Sequence, residues 1–150
     1  MPTDLIRLAP EVADALAAGR PVVALESTLI THGLSYPANV NAARRSEAAV
    51  RDEGAIPATV ALHDGRILVG LDDAQLQDLA QATKPAKVSR QNLSAQLGRP
   101  GWAGTTVSAT MIAAHRAGIR LFATGGIGGV HRGGETSLDI SADLDELART

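Results

Sequence analysis

Cysteine is absent from this 150-residue chain, which excludes disulfide staples, thiolate metal sites and a cysteine nucleophile, and accords with a reducing compartment. Aromatic residues are almost absent too, so stacking platforms for bases or sugars would have to rest on Trp102, Tyr36 or Phe122. Charge of one sign does not dominate: a formal net charge of −2 makes no basic field for nucleic-acid phosphates, and nucleic acid is not an expected partner. Apolar runs such as Pro21–Leu25 fall far short of the roughly 20 residues a membrane helix needs. The opening MPTDLIRLAPEV carries an early Asp and no signal-peptide core. The expectation is a cytoplasmic protein with no membrane partner. Lysine is scarce as well, with Lys84 and Lys87 against twelve arginines. A lysine kept in such a composition offers a compact ammonium that can lose its proton when desolvated.

What is present suffices for one substantial core, since 45% of residues are apolar, and one domain over residues 1–150 is the expectation. Pro10–Ala18 has helical spacing, with Val12, Leu16 and Ala17 on one side and Gly19 as its stop. Pro21–Leu25 reads as a buried strand ending at Glu26. Pro37 opens a helix running through Asp52, with Glu47 and Arg51 spaced as an i,i+4 pair and Gly54 beyond. Ala55–Leu62 and Arg66–Leu71 flank the hairpin dipeptide Asp64-Gly65. Asp72 and Gln75 form a capping-box pattern for a helix that buries Leu76, Leu79 and Ala80. Asn92–Gly98 suits a short helix. Thr105–Arg116 reads as a small-residue helix closed by Gly118, followed by the strand Ile119–Ala123. Ser141 caps a last helix expected to bury Leu144 and Leu147. That helix reaches Thr150 without Gly, Pro or a polar tail, so the fold is expected to be incomplete at its carboxyl end. Strands alternating with helices predict an α/β layer architecture, with one hairpin inserted among parallel strands.

Ligands of open α/β sheets bind beyond the carboxyl ends of parallel strands. Glu26 and the loop from Thr124 both lie at such ends, so Glu26 and Gly125–Asp143 are expected to line one pocket. A carboxylate withdrawn from water can become a general acid. Glu26 is read either so or as the partner of an arginine, and spacing leaves both open. TGGIGGVHRGG, from Thr124 to Gly134, has six glycines in eleven residues, which lets consecutive amides approach an anion. The dinucleotide-binding pattern is disfavoured, because its G-x-G-x-x-G should open a helix directly. His131, Glu135 and Asp139 recur at intervals of four, but Gly133-Gly134 interrupts any helical stripe. Asp143 has a plain role as a carboxylate at a helix N-terminus. Asp139 suits a hard divalent cation such as Mg²⁺ or Mn²⁺, though spacing alone does not establish a metal. His63, beside the hairpin turn, and His115, late in a helix, are read as structural.

The segments ALESTLITHGLSYPANV, GAIPATVAL, VGL, KVSRQNL, GTTVSATMIAA and FATGGIGGVHRGGETSLDISADLDELART, in this order, resemble the pseudouridine-5′-phosphate glycosidase family, also called indigoidine-synthase-A-like. The likeness covers the chain from about Pro21, and it matches the family's N-terminal half. It implies a three-layer α/β/α fold with a mainly parallel sheet, a trimeric homo-oligomer, and bound Mn²⁺. The implied reaction is the reversible conversion of pseudouridine 5′-phosphate and water into uracil and ribose 5-phosphate. A C-glycosidic bond has no leaving nitrogen or oxygen to protonate, so the two-carboxylate route of ordinary glycosidases has no easy exit. An opened ribose held as an imine at its first carbon lets the carbon–carbon bond break, which calls for a nucleophilic lysine and a proton donor.

By motif, Glu26 resembles the family's proton donor, and Lys87 a lysine contacting substrate. Val107 matches a substrate contact, and Ser141, Ala142 and Asp143 match the substrate-binding turn, with His131 in the same pocket. Asp139 resembles the metal ligand. The family's imine-forming lysine lies in a GAKSILD-like segment with no match in these 150 residues, so a missing C-terminal segment is expected to complete the site. A second expectation is a non-catalytic sugar-phosphate or nucleotide-binding module derived from that fold. A P-loop kinase is disfavoured for want of a G-K-[ST] element.

Overall fold

Side chains alternate between the faces of a strand, and that alternation sets the layers here. In the computed structural model, which describes residues 5–150, the chain runs β1 (Ile6–Leu8), α1 (Pro10–Ala17), β2 (Val22–Leu25), a π-helical turn (Leu29–Gly33), α2 (Ala38–Asp52), β3 (Ile56–His63), β4 (Arg66–Val69) and α3 (Asp73–Ala80). It continues through β5 (Ala86–Val88), α4 (Leu93–Gln96), β6 (Trp102–Thr105), α5 (Val107–Ala117), β7 (Leu121–Ala123), α6 (Gly134–Ser137) and α7 (Ala142–Leu147). Residues 1–4, part of the segment read for a targeting signal, lie outside the described residues. Ala58, Val60 and Leu62 of β3 pack with α1 and α5 on one side of the sheet, in a cluster that includes Val12, Ala109 and Ala113. Ala61 turns the other way to join Ile30, Val40, Leu76 and Leu79 beneath the π-helical turn, α2 and α3. Each such Val or Leu contributes about 1.5–3 kcal/mol by leaving water. The result is the expected three-layer α/β/α arrangement.

The sheet order is β1-β4-β3-β2-β7, with β6 also on β3 and β5 on β6. Four of its pairings are parallel; the antiparallel ones are β3 with β4 and β3 with β6. The expected hairpin is present, and its turn takes positive φ at both Asp64 (46°) and Gly65 (75°), as a two-residue hairpin loop demands. Along one edge of β3, β2 pairs in parallel with Ile56 to Thr59 while β6 runs against Ala61 to His63. The carboxyl ends of β2 and β6 therefore meet head to head. Buried polar contacts knit this junction: the Ser27 amide donates to the Thr105 carbonyl at 3.2 Å, and the Thr105 amide donates to Ser27 Oγ at 2.9 Å. Thr105 Oγ1 donates in turn to the Val60 carbonyl at 2.7 Å.

Several local expectations are met, including the Asp72–Gln75 capping box with both of its hydrogen bonds and the Gly118 stop of α5. Others are corrected. Thr105 ends β6 instead of opening a helix, because its hydroxyl and amide are consumed at the strand junction. Glu47 and Arg51 do not bond each other: the Arg51 guanidinium forks onto Glu11 at 2.6 and 2.8 Å, and Glu47 accepts from Thr59 Oγ1 at 2.5 Å. On α7, Leu144 and Leu147 are exposed while Asp143 and Glu146 are buried. The buried face of this helix meets backbone amides and Arg90 instead of an apolar layer, so its carboxylates turn inward and its leucines outward. Among the described residues no helix is long and apolar enough to cross a membrane.

Candidate active site

Where β2 and β7 run parallel, their carboxyl ends project Glu26 and Thr124 side by side, and Thr124 Oγ1 donates to Glu26 Oε1 at 2.8 Å. Among the described residues the groups that act on Glu26 are Thr124, Asp143 and Lys87, with no arginine among them. Burial pushes the Glu26 carboxyl above the ordinary glutamate range. The Thr124 hydroxyl opposes that rise, the Asp143 charge adds to it, and the Lys87 ammonium opposes it again. A carboxyl so placed keeps its proton to higher pH, which is what a general acid needs.

From the opposing half of the sheet come Lys87, within β5, and Val107, at the first position of α5 just after β6; β5 and β6 are parallel, and the carboxyl end of β6 meets that of β2. Asn92 shapes the loop between them: its Nδ2 donates to the Lys87 carbonyl at 3.0 Å, and its Oδ1 accepts from the Ser89 amide at 2.8 Å. The glycine-rich loop then closes the remaining side. Val130 and Ile140 form an antiparallel bridge that folds the loop back on itself and brings His131 Nδ1 to 3.1 Å from Asp139 Oδ1. Glu135, the middle member of the proposed series, lies on the exposed α6 turn.

Asp143 is only 6% exposed, and its carboxylate spans two elements. Oδ1 accepts the Ser108 amide of α5 at 2.9 Å, and Oδ2 accepts the Gly128 amide at 2.8 Å. This carboxylate does sit at a helix N-terminus, as the sequence suggests, but the helix is α5 as well as its own α7. Close approach is possible because Gly128 lacks a side chain: a Cβ there would lie 2.1 Å from Ser141 Oγ. Ser141 itself accepts from the Asp143 amide at 3.2 Å. Beneath, the Glu146 carboxylate pairs with Arg90, and the Arg90 amide donates to Ser108 Oγ at 3.1 Å.

Glu26, Lys87, Val107, His131, Asp139, Ser141, Ala142 and Asp143 all line one cleft of about 340 Å³. The pocket expected for Glu26 and the glycine-rich loop is thus present. Part of the loop's amide array is already used, however, since Gly126 donates to Thr124 Oγ1 and Gly128 to Asp143. Sequence reasoning passed over Thr124, Ser108 and Gly128 as individual site residues; the capping-type Ser and Thr around the two strand ends were the available signal.

Among the described residues no three His, Asp or Glu side chains converge as a metal cage. Asp139 is 67% exposed at the cleft. That donor set fits a hard cation held by one carboxylate, its own waters and a ligand phosphate.

The family profile described as indigoidine synthase A like protein matches residues 11–150. The chain is 59% identical over 145 residues to the pseudouridine-5′-phosphate glycosidase of Jannaschia sp. (strain CCS1), covering 97% of this chain and 48% of that protein. It is 63% identical over 147 residues to the pseudouridine-5′-phosphate glycosidase of Rhodospirillum centenum (strain ATCC 51521 / SW), covering 98% and 46%. The chain thus spans about half the length of the curated relatives it matches. Among solved structures, the prealnumycin C-glycosynthase AlnA in complex with ribulose 5-phosphate superposes with a TM-score of 0.88 at 44% identity, over 99% of this chain and 48% of that one. An indigoidine synthase A (IdgA)-like protein from Thermotoga maritima gives 0.83 at 30% identity, over 97% and 46%. Sequence from the first helix to Thr150, and the fold that carries the cleft, agree: the chain belongs to the indigoidine synthase A-like protein family.

Proposed function

We propose that this chain supplies the proton donor and the sugar-phosphate-binding side of a pseudouridine-5′-phosphate glycosidase, which reversibly converts pseudouridine 5′-phosphate and water into uracil and ribose 5-phosphate. The observation that carries the reading is the cleft itself, in which a carboxyl with a raised pKa faces a lysine and a polar turn gathered from opposite halves of the sheet. The names of the relatives and the ribulose 5-phosphate held by the structural neighbour support it.

In this reading Lys87, His131 and Ser141 bind and orient the ribose phosphate, which touches the protein backbone at Val107 and the turn at Ala142. Asp143 holds the loop that shapes their cleft. A lysine amine from outside these 150 residues attacks the first carbon of the ribose; the bond from that carbon to the ring oxygen breaks, and that oxygen leaves as a hydroxyl carrying the proton the amine sheds. The nitrogen lone pair of the amine then forms a carbon–nitrogen double bond as the carbon–carbon bond breaks. The electron pair leaves with the base, whose ring carbon takes the proton held on Glu26, and water later hydrolyses the imine. Asp139 is the residue that would hold Mn²⁺, which would supply charge neutralisation beside the phosphate. A homo-oligomer, trimeric as the resemblance implies, belongs to the same proposal.

The test is uracil release by this chain alone and by a chimera joining it to the C-terminal half of the Jannaschia sp. relative. Turnover by the chimera, lost in Glu26→Gln and accompanied by a borohydride-trapped sugar on the added half, is the expected result. An active chain alone would make Lys87 or Lys84 the nucleophile. Ribose 5-phosphate binding without turnover in a folded chimera would favour the binding-module reading instead.

A further inference from the structure

Three segments from separate parts of the fold wall the cleft on the side away from Glu26: Ser89 and Gln91 after β5, Thr106 and Val107 at the start of α5, and Ser141 and Ala142 before α7. Behind the wall these segments are joined by a closed ring of bonds. Arg90, between Ser89 and Gln91, donates its amide to Ser108 Oγ at 3.1 Å. The Ser108 amide donates to Asp143 Oδ1 at 2.9 Å. Glu146, one helical turn beyond Asp143 on α7, closes the ring by accepting from the Arg90 guanidinium at Oε2. Asp143 lines the cleft, whereas Arg90, Ser108 and Glu146 stand behind its lining.

The side chain of Glu146 is 2% exposed and that of Arg90 35%. Oε1 of Glu146 accepts from Thr150 Oγ1, so the buried carboxylate is bonded at both oxygens. Taking such a pair out of water is costly, the mutual attraction only roughly offsets that cost, and well-packed apolar side chains in its place are often as stable or more stable. An apolar alternative lies on the same helix, where Leu144 and Leu147 stay 37% and 45% exposed. Stability alone therefore does not account for the pair. What it adds is direction: a hydrogen-bonded ion pair fixes both distance and angle between the Arg90 loop and α7, and burial of apolar surface is non-directional.

We propose that Arg90 and Glu146 are positioning residues that set the spacing between Lys87 and the Ser89–Gln91 loop on one bank of the cleft and the Ser141–Ala142 turn on the other, and so govern sugar-phosphate affinity without touching the ligand. The inference rests on the glycosidase reading for its ligand and adds to it which side chains hold the binding groups in register. A displacement of about 1 Å among groups that converge on one ligand can cost about a hundredfold. Arg90 acts at both ends of the ring, through its amide on Ser108 and through its guanidinium on Glu146. Loosening the guanidinium contact frees α7 from the loop while leaving the Ser108 bonds in place.

Stability and affinity measured side by side on the 150-residue chain test this, by urea unfolding and by calorimetric titration with ribose 5-phosphate. In the double variant Arg90→Met/Glu146→Leu the unfolding midpoint should hold or rise, while ribose 5-phosphate binds about tenfold more weakly. Glu146→Gln keeps an oxygen to accept from Arg90, and its affinity should stay within about twofold of the parent. A double variant that binds as the parent does overturns the positioning role and leaves the glycosidase reading standing. Tighter binding by Glu146→Gln also overturns it, because a released Arg90 guanidinium would then be reaching the phosphate directly. If the double variant does not fold, Glu146→Ala decides, since the partly exposed Arg90 can turn to water: weaker binding in the folded variant supports the proposal, and parental affinity overturns it. A parent chain that does not bind ribose 5-phosphate overturns the proposal and the glycosidase reading together.

Discussion

Thr124 Oγ1 and Glu26 Oε1 lie 2.8 Å apart although 98 residues separate them, and this bond ties the ends of two parallel strands at the point where the proton donor stands. The hydroxyl stabilises the carboxylate, so Thr124→Val should move the Glu26 pKa further upward from its already raised position. Carbon-13 titration of the Glu26 carboxyl measures this directly, and an unchanged or lower midpoint would contradict the bond's electrostatic role.

Glu47 offers a stability prediction with a definite sign. Burial raises its pKa, with the Thr59 hydroxyl and Arg51 opposing the rise, so the folded state holds a proton that the unfolded state has already released. Its contribution is therefore complete below the unfolded glutamate pKa of about 4.3 and is lost as pH climbs through the raised folded value. Glu47→Gln keeps an oxygen to accept from Thr59 and removes the titration. Urea unfolding at pH 4 and pH 8 should show that the variant gains stability relative to the parent at the higher pH. A parent–variant difference that does not change with pH would refute it.

Asp143→Asn should destabilise the chain by about 1–3 kcal/mol, because an amide side chain presents N–H to one of two backbone donors that now face carboxylate oxygens. Hydrogen exchange should quicken at Gly128 or Ser108, whichever amide loses its acceptor, before it does in the core of β3.

Gly128→Ala should cost about 1–3 kcal/mol by overpacking, since the added Cβ would meet Ser141 Oγ at 2.1 Å and Ser141 Cβ at 2.5 Å. Gly129→Ala is the control: nothing lies within 4 Å of its Cβ position, and its effect should stay within about 0.5 kcal/mol. Thermal unfolding of the pair separates crowding from the general cost of stiffening the loop.

Asp139→Asn should weaken Mn²⁺ binding by about tenfold or more, given that even residues behind metal ligands change affinity by such factors. Calorimetric titration in the presence of ribose 5-phosphate reads it, and unchanged affinity removes Asp139 as the ligand.

The local elements were the legible part of this molecule. Asp64-Gly65, the Asp72–Gln75 box and the glycines after α1, α2 and α5 each act within a few residues, where backbone sterics and capping bonds decide the outcome without help from distant chain. The motifs likewise marked Glu26, Lys87, Val107, His131, Asp139, Ser141, Ala142 and Asp143, and all of them meet in the cleft. The three- and four-residue strands β1, β5 and β6 were not legible. Such short segments carry too little alternation to stand out, and their hydrogen-bond partners lie far away in sequence.

The α/β alternation, the hairpin, the family and the set of polar residues gathered at the cleft are all written in local patterns and motifs. Long-range pairing adds what these patterns leave out: β6 runs against β3 and so brings Lys87 and Val107 toward Glu26 from the direction opposite to the rim that Glu26 shares with Thr124. Long-range contacts likewise turn Asp143 and Glu146 inward on α7 in place of Leu144 and Leu147. The reason is the same in both cases. Strand direction and the choice of a helix's buried face are settled by which long-range partners satisfy the backbone and the carboxylates, and those partners are 35 to 78 residues away along the chain.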